Sequence, residues 1–171
     1  MMTREAQTLD TLITTTSEEV RTLALGEVVL ALGSNHDAAK HLARVHEALA
    51  TLGAAHYSEA YQNPDFTASA ERPKPDYVNQ CVYLRLDTPQ TLTALQRKFA
   101  GLESACERCR IPDTARHADK IRLVTMDIDI LLIHASTPDA RWQLLSNRVP
   151  LKAHERIGID ALLSYMNLQR I

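Results

Sequence analysis

Thr125-Met-Asp-Ile-Asp-Ile-Leu-Leu-Ile133 is apolar along most of its length, yet two aspartates sit inside it. Three of its residues are Ile and two are Leu, so it reads as a buried strand. Side chains alternate across a strand, which puts Met126, Ile128, Ile130 and Leu132 on one face and Thr125, Asp127 and Asp129 on the other. Two carboxylates two positions apart on one strand stand about 6–7 Å from each other. At an effective dielectric near 20 they repel by about 2 kcal/mol. A cation between them turns that repulsion into binding. Magnesium, held by one or two carboxylates together with substrate phosphates, suits such a pair. The plainer reading is a wet sheet face carrying two solvated aspartates, and pattern alone leaves both open.

The composition is that of an ordinary globular chain. Its 171 residues suffice for one domain with a real core, burying about 70% of the unfolded surface. The net charge of −2 gives no basic field for nucleic acid. No run of about 18 apolar residues is present, so no membrane span is expected. Met1–Gln7 lacks the apolar centre of an export signal, and three cysteines fit a reducing compartment, so a cytoplasmic protein is expected.

Upstream of the strand the chain alternates in type. Residues 1–26 are polar and Thr-rich and read as an N-terminal extension, with Thr16-Ser-Glu-Glu19 as a capping box for a short helix through Leu25. Residues 27–171 read as the domain proper. Glu27–Leu32 reads as a strand broken by Gly33-Ser34-Asn35. The stripe Ala38, Leu42, Val45, Leu49 and Leu52 predicts a helix from Asp37 to Leu52, stopped by Gly53. A strand from His56 to Gln62 leads into a proline-rich loop, Asn63–Asp76. Tyr77–Asp87 alternates as a third strand. Thr88 and Pro89 suit the cap and first turn of a helix carrying Leu92, Leu95, Phe99, Leu102 and Cys106. Beyond the opening strand, Trp142–Leu145 reads as a return strand, and His154 to Tyr165 as a helix. The order β-α-β-β-α-β predicts an α+β, ferredoxin-like antiparallel sheet with helices on one face, plus the N-terminal helical extension and a short C-terminal hairpin and helix.

Further constellations carry chemistry. Glu103-x-x-x-x-Arg108-x-Arg110 ends the second helix, where guanidinium groups can clamp phosphate. Cations also favour helix C-termini without any ligand. Tyr77 and Asn79 share one strand face, an aromatic and an amide placed to stack on and hydrogen-bond a flat heterocycle. Equally, the pair can simply cover the sheet. Cys106-x-x-Cys109 has no second pair, and Cys106 falls in an apolar stripe, so zinc is not expected. The seven histidines show no ligand spacing.

Taken in order, five motifs resemble the 6-hydroxymethyl-7,8-dihydropterin pyrophosphokinase family of folate biosynthesis. They are Leu32-Gly33-Ser34-Asn35, Tyr61-x-x-Pro64, Asp76-Tyr77-Val78-Asn79, Glu103-x-x-x-x-Arg108-x-Arg110 and Thr125-Met-Asp127-Ile-Asp129-Ile. The resemblance implies an enzyme that transfers pyrophosphate from ATP, its co-substrate, to the hydroxymethyl oxygen of the pterin, using two magnesium ions. Asp127 and Asp129 would hold the metal. Tyr77, Asn79, Asn63, Pro64 and Phe66 would form the pterin pocket. Glu103, Arg110 and Ile130 would lie along the nucleotide, with Arg108 in a mobile catalytic loop.

The chain departs from the family pattern in places. Leu123-Val124 stands where the family carries the end of Gly-Pro-Arg, with Arg122 two places early. Leu151-Lys152 replaces a His-Tyr pair, and Ile159 replaces an aromatic. Arg122 as a catalytic group, with Arg148 and Lys152 on the nucleotide, are the candidates to restore the phosphate contacts. Two alternatives stay open: a catalytically impaired paralogue that binds pterin or nucleotide, and a ferredoxin-like binding or regulatory domain. An RNA-binding version of the frame needs basic and aromatic residues where Asp127 and Asp129 stand. Small-molecule partners are therefore expected rather than nucleic acid or membrane.

Overall fold

Val28-Val29-Leu30-Ala31-Leu32 is buried on both faces, which only a strand in the middle of a covered sheet can be. The computed structural model, which describes residues 7–64, 69–71, 75–107 and 123–168, places it there. The strands are β1 (Ile13–Thr15), β2 (Ala24–Ser34), β3 (Gly53–Tyr57), β4 (Tyr61–Asn63), β5 (Tyr77–Thr91), β6 (Asp127–Ala135) and β7 (Gln143–Leu145). The helices are α1 (Ala38–Ala50), α2 (Leu92–Ala105) and α3 (Ala153–Asp160). One sheet runs β1-β7-β6-β2-β5-β3, with β4 also on β5. β2 is antiparallel to both neighbours, and among the described residues only β1 and β7 pair in parallel. This is the expected mixed α+β architecture.

Alternation along β2 builds two cores. Val28, Leu30 and Leu32 join Val82 and Leu84 of β5 beneath Leu42, Val45 and Leu49 of α1 and Leu95 and Phe99 of α2. Val29 and Ala31 face the other way, with Cys81, Tyr83, Trp142, Ile159, Leu162 and Met166. The first two helices thus share one face, as expected, while α3 and the turns after it close the second.

The details differ from the sequence pattern where tertiary pairing overrides it. Thr16 does accept a hydrogen bond from the Glu19 amide at 3.1 Å, yet only turns follow, and Ala24–Leu25 already belong to β2. Leu25 is fully buried and pairs with both Gln90 and Ala135, which outweighs local helix propensity. The segment before it is stitched to the sheet: β1 pairs with β7, and the Gln7 amide exchanges two hydrogen bonds with the Trp142 backbone (2.9 and 3.2 Å). The expected His56–Gln62 strand is two strands, β3 and β4, both on β5. Pro89 does not open α2, because it lies where the β2–β5 register slips between Leu25 and Glu27, the irregular kind of position a proline tolerates. The cap is Thr91, whose hydroxyl accepts from the Ala94 amide at 3.2 Å. The C-terminal helix stops at Asp160 and continues as turns.

Two predictions arise from the packing. Gly101 lies inside α2, and a Cβ there meets nothing within 4 Å. Gly101→Ala is therefore expected to stabilise the protein by about 0.5–1 kcal/mol, seen as a higher urea midpoint at unchanged slope. His41, on α1, is fully buried, and neither ring nitrogen has a hydrogen-bond partner among the described residues. Burial, then the nearby Lys40, lower its pKa from the ordinary 6.5, although Glu107 and Asp37 pull the other way. The folded state thus holds His41 neutral while the unfolded chain takes up a proton below pH 6.5. Stability contributed by the neutral ring is complete above that pH and falls as pH drops through it. The Tm advantage of His41→Leu over the parent should therefore grow between pH 7.5 and pH 5.5; a constant difference would exclude His41 as the cause.

Candidate active site

The register of β6 sets the site. β2 pairs with β6 from Asp127 to Ala135, but β7 covers only Leu132 and Ile133 on the other side. The edge of β6 from Asp127 to Leu131 is not paired by β7. A bulge between the Val29 and Leu30 positions of β2 leaves Leu131 unmatched, so Leu132 faces the second core and Ile133 returns to the first. The simple alternation expected through Leu132 is thereby corrected. Met126, Ile128 and Ile130 keep to the first face, and Asp127 and Asp129 point away from it.

Two other strands bring their residues to the same sheet face. Gly33 pairs with Asn79 on one side and with Asp127 on the other, so the three form a row across the sheet. Two strand spacings separate Asn79 from Asp127, about 10 Å. A Cβ on Gly33 would sit 3.1 Å from the Asn79 side-chain oxygen, so a residue without one suits the centre of the row. Tyr77 shares this face with Asn79, and β4 pairs Asn63 with Tyr77. The Asn63 side-chain nitrogen is buried with no hydrogen-bond partner among the described residues. Pro64 follows it, exposed.

Asn35 ties the approach to β6. Its backbone amide donates to the Val124 carbonyl at 2.9 Å, and its side-chain oxygen accepts from the Val124 amide at 2.6 Å. The Leu32-Gly33-Ser34-Asn35 motif therefore anchors the residues just before the aspartates. It supplies from a side chain the pairing a longer strand would have made.

A cleft of about 320 Å³ runs along the β6 edge beside α2. Glu103, Asp127, Asp129, Ile130 and Arg148 line it together. Arg148 lies in the 3-10 turn Ser146–Arg148 after β7, and its Nη2 donates to Asp129 Oδ1 at 2.9 Å. Three carboxylates against one guanidinium leave the described lining with a negative excess. Asp127 and Asp129, without a third described ligand-type side chain clustered on them, match a cation that takes most of its remaining ligands from phosphate and water.

Gln96 and Asn147 also line the cleft, and the sequence reading missed both. Gln96 was within reach of pattern, since it falls on the α2 stripe Gln96, Phe99, Ala100, Glu103. Asn147 had no signal, because only the fold brings the turn after β7 beside α2. Lys152 is exposed, precedes α3 and donates its backbone amide to Glu155 Oε1 at 2.8 Å; it is not among the described residues lining the cleft. Ile159 is buried in the second core. Phe66, Arg108, Arg110 and Arg122, together with Cys109, lie outside the described residues.

A search of curated proteins finds no match. The model of the 7,8-dihydro-6-hydroxymethylpterin-pyrophosphokinase family matches residues 29–155. That span runs from the centre of β2 into α3 and contains the Gly33–Asn79–Asp127 row and the cleft beside α2. With well over half of its length matched, the chain belongs to the 7,8-dihydro-6-hydroxymethylpterin-pyrophosphokinase family.

Proposed function

We propose that this protein transfers the pyrophosphoryl group of ATP to 6-hydroxymethyl-7,8-dihydropterin, with Asp127 and Asp129 holding two magnesium ions. The observation that carries this reading is that both aspartates lie on β6 beyond the reach of β7, in one cleft with Glu103 and Arg148, with Asp127 in one sheet row with Asn79. Bound there, magnesium would neutralise phosphate oxygens and hold the triphosphate in line with the attacking hydroxyl. The chain's own side chains then divide the work. Tyr77 stacks on the pterin ring and Asn79 hydrogen-bonds its edge, while the buried Asn63 side-chain nitrogen, without a hydrogen-bond partner among the described residues, gains an acceptor. Glu103 and the β6 edge at Ile130 seat the nucleotide. Arg148 and, from outside the described residues, Arg108, Arg110 and Arg122 contact the phosphates. The hydroxymethyl oxygen attacks the β-phosphorus and gives up its proton to solvent, while the bond from the β-phosphorus to the α,β-bridging oxygen breaks and AMP departs carrying that oxygen.

Incubation with ATP, magnesium and the dihydropterin tests this directly. AMP and the pterin pyrophosphate should appear in equal amounts. An impaired member would bind both substrates by calorimetry and yield neither product. A protein that binds neither substrate would refute the assignment.

A further inference from the structure

Arg148 holds the carboxylate that the reading above gives to the metal, and the inference drawn here rests on that reading. We propose that Arg148 competes with the divalent cation for Asp129 and, once displaced, turns to the phosphates of the nucleotide, so that metal and nucleotide bind as a coupled pair. Its Nη2 lies 2.9 Å from Asp129 Oδ1, within the space a cation on that oxygen would need. A guanidinium and a divalent ion on one carboxylate oxygen also repel each other. The contact leaves Arg148 unevenly satisfied, because its Nε is buried and has no hydrogen-bond partner among the described residues. A phosphate offers several anionic oxygens to the planar fork, which one carboxylate oxygen does not match. The side chain is free to make the change: it springs from a three-residue 3-10 turn beyond the end of β7 and is about one-third exposed (34%). Swinging it breaks no strand pairing.

The consequence is reciprocal coupling. Metal alone must evict Arg148, which then has no phosphate to receive it. Metal and nucleotide together supply both the displacement and the new partner. A purely structural arginine would behave differently, since its loss would weaken both ligands.

Mn²⁺ binding, followed by the loss of the free-ion electron paramagnetic resonance signal, separates these cases. It is measured with and without an ATP analogue carrying a methylene α,β-bridge. Arg148→Met keeps the packing of the stem, and Arg148→Gln keeps a donor without the charge; matching melting curves check that each is folded. Both variants are expected to bind Mn²⁺ alone about fivefold more tightly than the parent, the size of a partly exposed charge contact. Both should bind the analogue in the presence of Mn²⁺ about fivefold more weakly. Unchanged Mn²⁺ affinity, or weakening of both ligands, would overturn the competition while leaving the metal assignment standing. Absence of Mn²⁺ binding by the parent even with the analogue would remove the metal assignment itself, and the competition with it.

Discussion

Asp127→Ala and Asp129→Ala are each expected to lower pyrophosphoryl transfer by about 10³-fold or more, the scale of losing metal stabilisation of a phosphoryl transition state. Both aspartates are half-buried and neither belongs to either core, so removing them takes little packing from the fold. Folding stability should therefore hold while metal-dependent nucleotide binding disappears. The two variants should also differ. Asp129→Ala deprives Arg148 of the partner it holds at 2.9 Å, whereas Asp127→Ala leaves that contact in place. Calorimetry with Mg-ATP and a count of AMP released per minute check both statements. Near-normal turnover in either variant would show that the metal sits elsewhere.

Gly53→Ala should produce the largest loss of stability, about 3 kcal/mol or more. A Cβ at Gly53 would lie 1.9 Å from the Arg85 carbonyl oxygen, 2.8 Å from its carbon and 3.0 Å from Leu86 Cα. All three are backbone atoms of β5, so no rotamer relieves the overlap. β3 must move off β5, and the 3.0 Å hydrogen bond from the Asp87 amide to the Leu52 carbonyl goes with it. The urea midpoint should fall sharply, in contrast to the gain expected for Gly101→Ala. Yet β3 is an edge strand, separated from β6 by β5 and β2. Whatever fraction stays folded in the cold should bind the nucleotide as the parent does. A loss below about 1 kcal/mol would mean that the connection from α1 can slide without strain.

The parts of this fold that sequence displays are those governed by short periods. Val28 to Leu32 declares a doubly covered strand, and Leu42, Val45 and Leu49 declare a helix face. The parity of Tyr77 with Asn79, and of Asp127 with Asp129, follows from a period of two and survives in the sheet. What pattern could not display are breaks in the period. The unmatched Leu131 moves Leu132 to the opposite core, and nothing in Ile-Leu-Leu-Ile marks which residue is the extra one. Pro89 looks like a helix start because its nearest neighbours suit one, while the pairing of Gln90 and Thr91 with the start of β2 comes from residues more than sixty positions away. Asn147 reaches the cleft because the turn after β7 takes its direction from the sheet.

β2 pairs Leu30 with Val82 on one side and with Ile130 on the other. On a ribosome the second partner emerges 100 residues after Leu30, which at typical elongation rates is a delay of roughly 5–20 s. Through that interval Glu27–Leu32 keeps one edge unmet even after β5 has emerged, the kind of segment that nascent-chain chaperones bind and that self-associates at high expression. Asp127 and Asp129 come from that last partner, so a product ending before β6 lacks both aspartates proposed to hold the metal. Slower translation ahead of residue 127 should lower the soluble yield of the full chain more than the same slowing after residue 145.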